Sequence, residues 1–216
     1  MTQPSLNSGQ ILQSTFQQVG PVYLPILLLS LPGVLISLVV PGPLLNSVVS
    51  FAYGILVGPI LGGACIILAD RAISGQTLNL GESLSIAFQK AGYLILATLL
   101  LLVIMMPAFF LLVIPGIYLS VKLFATQYAV IFEDKSPIDA LASSWELTKG
   151  QWWPIFGTIF LIGLVLIIPI ILVSLIFAQS SFGPLLTNLI SLLITPVLVL
   201  ALLFVYKSLQ GSQLST

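Results

Sequence analysis

The chain has 216 residues, 58% of them hydrophobic and only 6% charged, where soluble domains carry roughly a quarter charged residues. It cannot cover itself with polar surface in water, so a lipid bilayer is its solvent. Six basic and six acidic residues cancel, which argues against nucleic acid as a partner. The single Cys65 excludes a disulfide framework, and the absence of histidine removes the commonest general base and zinc or haem ligand.

Residues 1–20 hold no basic residue and no early apolar core, so a cleaved signal peptide is not expected. Within them, GQILQSTFQQVG (9–20) reads as a short amphipathic interfacial helix. Apolar runs follow at 22–40 and 44–69, each long enough to span a membrane. In the second, Gly54, Gly58 and Gly62 recur at intervals of four. Such a face lets helix backbones pack closely, inside the monomer or across a dimer. A second interfacial helix is expected at 81–91, then spans at 92–111 and 113–132, a third interfacial helix at 137–149, and spans at 153–178 and 184–206. The expected fold is therefore an all-α integral membrane protein in one transmembrane domain over 1–216, with six spans and three interfacial helices. Prolines inside or beside the spans predict kinks.

The entry helices suggest a repeat. Gly9, Leu12, Phe16, Gln17 and Gly20 match Gly81, Leu84, Phe88, Gln89 and Gly92 without a gap, and residues 136–153 have a similar layout in another register. Three pseudo-repeats of interfacial helix plus helical hairpin are inferred. Arg71, Lys90, Lys135, Lys149 and Lys207 all fall in alternate connections or after the last span. The positive-inside rule then places both termini in the cytoplasm of a multi-pass protein of the cytoplasmic (inner) membrane.

In the third entry helix Ser136 is the expected N-cap, Pro137 the first helical residue, Asp139 the capping acid and Gly150 the stop. Its apolar positions 138, 141, 142 and 145 form one stripe. The helix is expected to lie flat in the interface with Trp145 downward, and Trp152 and Trp153 in the aromatic belt. These helices read either as well-anchored connections or as a docking surface.

Lys122 sits inside the fourth span. An unbroken helix from the acidic end at Glu133 and Asp134 would put it roughly 15 Å deep, near the midplane, at a cost of about 2.5–3.5 kcal/mol. No carboxylate lies deep in any span. The candidate partners are Ser120, Thr126 and Gln127, a hydrated cavity or a lipid phosphate, with escape to the outer face if the hairpin turns as late as Pro115. Both a structural role and a lipid- or substrate-binding role stay open. Glu133, Asp134 and Asp139 interspersed with Lys135 read as a solvated loop, and no metal or cofactor is expected. No phosphate-binding loop, dinucleotide fingerprint, nucleophile elbow or zinc-protease motif is present.

Pro115-Gly116, a basic residue at 122, an acid at 133 or 134, Ala140-Leu141, Ser144, Thr148-Lys149-Gly150 and Trp153 together resemble a family of bacterial polytopic inner-membrane proteins. That family includes stand-alone members and the membrane domain fused to some glycerophosphoryl diester phosphodiesterases. The resemblance implies a lipid-linked context. In the fused proteins hydrolysis belongs to a separate soluble domain, so no phosphodiesterase activity is expected here. The function expected is a non-enzymatic, lipid-associated scaffold or accessory protein, partnered by membrane lipids and by another membrane protein or a second copy. The alternative is a small transporter or channel with a polar midplane site around Lys122.

Overall fold

A computed structural model describes residues 8–177, 180 and 183–213. The expectations for residues 1–7 and for the end of the fifth span at residue 178 lie outside the described residues. Ten helices follow in order among the described residues: α1 (Ser8–Val39), α2 (Pro43–Leu56), α3 (Gly58–Ile73), α4 (Leu80–Gln89), α5 (Ala91–Leu111), α6 (Val113–Leu123), α7 (Thr126–Phe132), α8 (Pro137–Leu147), α9 (Trp152–Ile176) and α10 (Gly183–Gln213). There is no strand among the described residues. Among the described residues five stretches are long and apolar enough to cross a membrane, and a sixth is made by α2 and α3 if that bent pair is one span.

The first correction to the sequence reading is at the start. The expected interfacial helix at 9–20 is not separate: α1 runs through Gly20 and Pro21 as one helix of 32 residues. Ile11, Thr15, Val22, Ile26 and Leu29 are all buried. Their spacing makes one continuous stripe across the Gly-Pro pair, packed on α3 and α10.

α2 and α3 meet at a 50° bend. Pro59, in the first turn of α3, has no N–H to give the preceding turn, which ends α2 at that point. The rest of α3 is the centre of the bundle, with Ala64, Leu68 and Ala69 fully buried. α4 begins where the Asn79 side chain accepts a hydrogen bond from the Glu82 N–H at 3.2 Å. It ends at Lys90, whose ammonium donates to the Ile131 carbonyl at 2.5 Å and pairs with Asp134.

α5 and the pair α6/α7 form an antiparallel hairpin that turns on Leu112 alone, in extended conformation. The turn therefore precedes Pro115. It is this tight because Gly116 faces the Phe109 ring so closely that an added Cβ would sit 2.5 Å from it. Farther along, the Gln127 amide donates to Thr98 Oγ1 at 3.3 Å, which fixes the register. The fourth span is itself interrupted at Phe124 and Ala125, where α6 stops and α7 begins.

α8 starts as expected: the Ser136 hydroxyl accepts from the Asp139 N–H at 3.3 Å and donates to its carboxylate at 2.6 Å. It does not lie clear of the bundle. α8 runs back over α7 and packs on α5, α6 and α7. Its apolar stripe is turned outward, with Ile138 and Trp145 exposed, and its small residues Ala140, Ser144 and Thr148 are buried against the bundle.

Candidate functional site

The break in the fourth span is where Lys122 finds its partners. α6 ends one residue after Lys122, and the C-cap of α8 is Thr148. The Lys122 ammonium donates to the Thr148 carbonyl at 3.3 Å and stands 5.1 Å from the centroid of the Trp145 ring. The C-terminus of α8, which carries partial negative charge, thus meets the cation, and an aromatic face covers it. Only 5% of Lys122 is exposed.

The backbone freed by the break is satisfied by the same helix. Ser144 Oγ accepts the Ala125 N–H at 3.1 Å and donates to the Lys122 carbonyl at 2.9 Å. Thr148 Oγ1 reaches that carbonyl at 3.4 Å. Of the expected partners Ser120, Thr126 and Gln127 none holds the Lys122 ammonium; the Thr148 carbonyl does. Lys122 does not reach out of the bundle; the end of α8 comes to it, because carbonyls of a helix terminus solvate a cation where no carboxylate is at hand. The signal was readable as Ala140, Ser144 and Thr148 at intervals of four, a small-residue face for close packing.

The other candidates separate. Thr126 is fully buried and its hydroxyl returns to the Leu123 carbonyl at 2.8 Å, so it is a local cap. Ser120 and Gln127 line a cleft of about 480 Å³ between α3, α5, α6/α7 and α10, whose other walls include Gly62, Met105, Phe109, Phe124 and Leu198. Lys122 is not part of it. No facing backbone closes on the glycine triad: a Cβ at Gly54 would meet open space, one at Gly58 only the preceding Tyr53 carbonyl, and one at Gly62 only the Gln127 amide oxygen at 3.9 Å. Within this chain the close approach is made by the neighbouring Gly63, where a Cβ would lie 2.9 Å from Leu94. Trp152 stacks on Tyr118 and donates from its indole N–H to the Tyr118 carbonyl at 3.2 Å, and Trp153 is exposed beside it.

A polar hub joins the end of α7 to α8 and α10. The Glu133 carboxylate accepts from Lys135 at 2.7 Å, Ser143 at 2.9 Å, Tyr206 at 2.9 Å and Gln210 at 3.3 Å. Burial alone would raise its pKa; the hydrogen bonds from Lys135, Tyr206 and Ser143 outweigh that and hold the carboxyl below its usual value. Asp134 faces Lys90 and Asp139 faces Ser136, so the three acids are turned to separate partners. Arg71 pairs with Glu82, Lys149 with Glu146 and Lys207 with Asp70.

Long apolar helices packed around a nearly charge-free centre, with ionic pairs gathered at helix ends, define a helical protein of the multi-pass membrane class. Within that class, residues 83–209 match the family described as Domain of unknown function (DUF7847), and the chain belongs to that family. The matched segment runs from α4 through most of α10 and so contains the α8 lock and the Glu133 hub. No curated protein and no solved structure matches the chain.

Proposed function

We propose that this chain is a non-enzymatic integral protein of the cytoplasmic membrane, a lipid-associated scaffold or accessory unit with both termini cytoplasmic. One observation carries the reading. Phe88 lies nine residues past the α4 N-cap and Trp145 nine past the α8 N-cap, and Phe16 is the gapless counterpart of Phe88. These aromatics are 55%, 68% and 39% exposed at 16, 88 and 145, while the residue before each, Thr15, Ala87 or Ser144, is buried. One amphipathic design thus recurs three times, a small residue into the bundle and an aromatic outward. That supports an entry segment repeated three times, continuous with its span in α1 and a separate helix in α4 and α8, whose aromatics rest in a lipid interface.

The resemblance to the membrane domain of glycerophosphoryl diester phosphodiesterases enters here as part of the proposal. Ala140, Ser144 and Thr148, on which it partly rests, hold α8 in place. That favours a shared architecture over a shared activity. Native mass spectrometry of the protein extracted from membranes tests the reading: the wild type retains phospholipid and a Phe16→Ser, Phe88→Ser double variant of unchanged helicity retains less. A wild type that leaves the membrane free of lipid refutes it.

The transporter reading draws on two interrupted helices in comparable places, α2/α3 and α6/α7. In transporters, backbone groups freed at such breaks coordinate the cargo. Here Ser144 and Thr148 occupy the carbonyl of Lys122, and Ser144 the N–H of Ala125. Protein-dependent solute flux into proteoliposomes would restore that alternative.

A further inference from the structure

We propose that the cleft between α3, α5, α6/α7 and α10 holds one acyl chain of a membrane phospholipid, and that Gly62 is the residue that keeps it open. The inference deepens the lipid-associated reading and rests on it. At about 480 Å³ the cleft is of the size of a small-molecule site, such sites being roughly 300–1,000 Å³. Its lining is mostly apolar, and Ser120, Gln127 and Tyr128 are its polar side chains. Ser120 Oγ donates to the Ile117 carbonyl at 2.9 Å, the Gln127 amide donates to Thr98, and the Tyr128 ring stacks on Tyr206 at 4.9 Å.

A buried water needs about two to four polar partners, and these walls leave too few. Hydrocarbon fills such a space at lower free energy than water. The mouth settles which hydrocarbon. Phe109 and Leu198 stand at its rim, both exposed, and beyond Phe109 the surface of α5 continues through exposed Val103, Met106 and Phe110. What lies against this rim is the acyl region of the bilayer, so the occupant comes from there.

Gly62 gives the third member of the glycine series a use that packing does not. A Cβ there meets only the Gln127 amide oxygen, itself a wall of the cleft, so the missing side chain is an opening. The cleft also touches the α8 lock. Phe124 lines it, and the residues on either side of the break, Lys122 and Ala125, are the ones Ser144 holds.

The test uses the full chain in nanodiscs containing phosphatidylglycerol with a diazirine on one acyl chain, with cross-links mapped by residue. In the wild type, Gln127 and Leu202 inside the cleft label alongside Phe110 on the outer surface. Gly62→Leu lowers labelling at Gln127 and Leu202 about tenfold and leaves Phe110 labelled, whereas Gly54→Leu, outside the cleft, changes neither. Met105→Trp fills the cleft from α5 and repeats the loss if Gly62→Leu does not fold. Unchanged interior labelling in both filling variants overturns the cleft while leaving general lipid retention intact. Interior labelling at Gln127 and Leu202 that is lost as the chain self-associates at a higher protein-to-lipid ratio overturns it in favour of a second copy. Wild-type protein without retained lipid overturns the broader reading first.

Discussion

Replacing Lys122 by methionine separates two accounts of this region. The side chain gives up a charged hydrogen bond to the Thr148 carbonyl and its place over Trp145. A hydrogen bond of this kind is worth about 1.5–3 kcal/mol, and at 3.3 Å it belongs at the low end. The ring contributes about 1 kcal/mol and the helix terminus about 0.5 kcal/mol. Against these stands the roughly 2.5–3.5 kcal/mol cost of holding a cation among apolar helices. The two sides cancel to within about 1 kcal/mol, so Lys122→Met is close to neutral. Ser144→Ala is not. It orphans the Ala125 N–H and weakens satisfaction of the Lys122 carbonyl, at about 1–3 kcal/mol for each buried group left unpaired. Since Thr148 still reaches the carbonyl, about 2 kcal/mol is expected in total. Unfolding in mixed micelles, followed by tryptophan emission, reads this region directly because all three tryptophans, 145, 152 and 153, lie beside it. A Lys122→Met loss larger than that of Ser144→Ala refutes the reasoning, because the cation rather than the backbone break would then hold α8.

Gly116→Ala pushes a Cβ into the Phe109 ring and costs about 1–3 kcal/mol as overpacking; a double-mutant cycle with Phe109→Ala recovers much of it, and strict additivity would contradict the contact. The Glu133 carboxyl is held below its ordinary value in the folded protein, so its stabilisation is fully present above the unfolded pKa and is lost as pH falls through the folded one. Thermal melting of the wild type should therefore weaken on acidification below about pH 4, and Glu133→Gln should flatten that dependence; an equally steep Glu133→Gln profile would place the effect elsewhere. The proposed orientation predicts that exposed Glu146→Cys and Lys149→Cys react with a membrane-impermeant maleimide only from the cytoplasmic side, while buried Cys65 stays silent. Labelling of intact cells from outside would reverse the topology.

How much was legible in the sequence differs by element. α8 was, from cap to stop, because Ser136, Pro137, Asp139 and Gly150 act within one or two turns. The continuity of α1 was not: Gly20-Pro21 is a local stop signal, and only packing against α3 and α10, distant in the chain, overrides it. The break at Phe124 carries no proline or glycine, so nothing local announced it. It persists because Ser144, twenty residues on, supplies the hydrogen bonds that α7 and α6 do not make for themselves.

The sequence by itself determined that this chain makes long apolar helices able to cross a membrane and at which helix ends its charges collect. These follow from composition and from signals spanning a few residues. Only the tertiary structure decided that Lys122 belongs to the α8 lock while Gln127, Ser120 and Gly62 belong to a cleft on the other side of the break. Neighbours on one helix point in different directions, and what each one meets is set by helices that the sequence places far away.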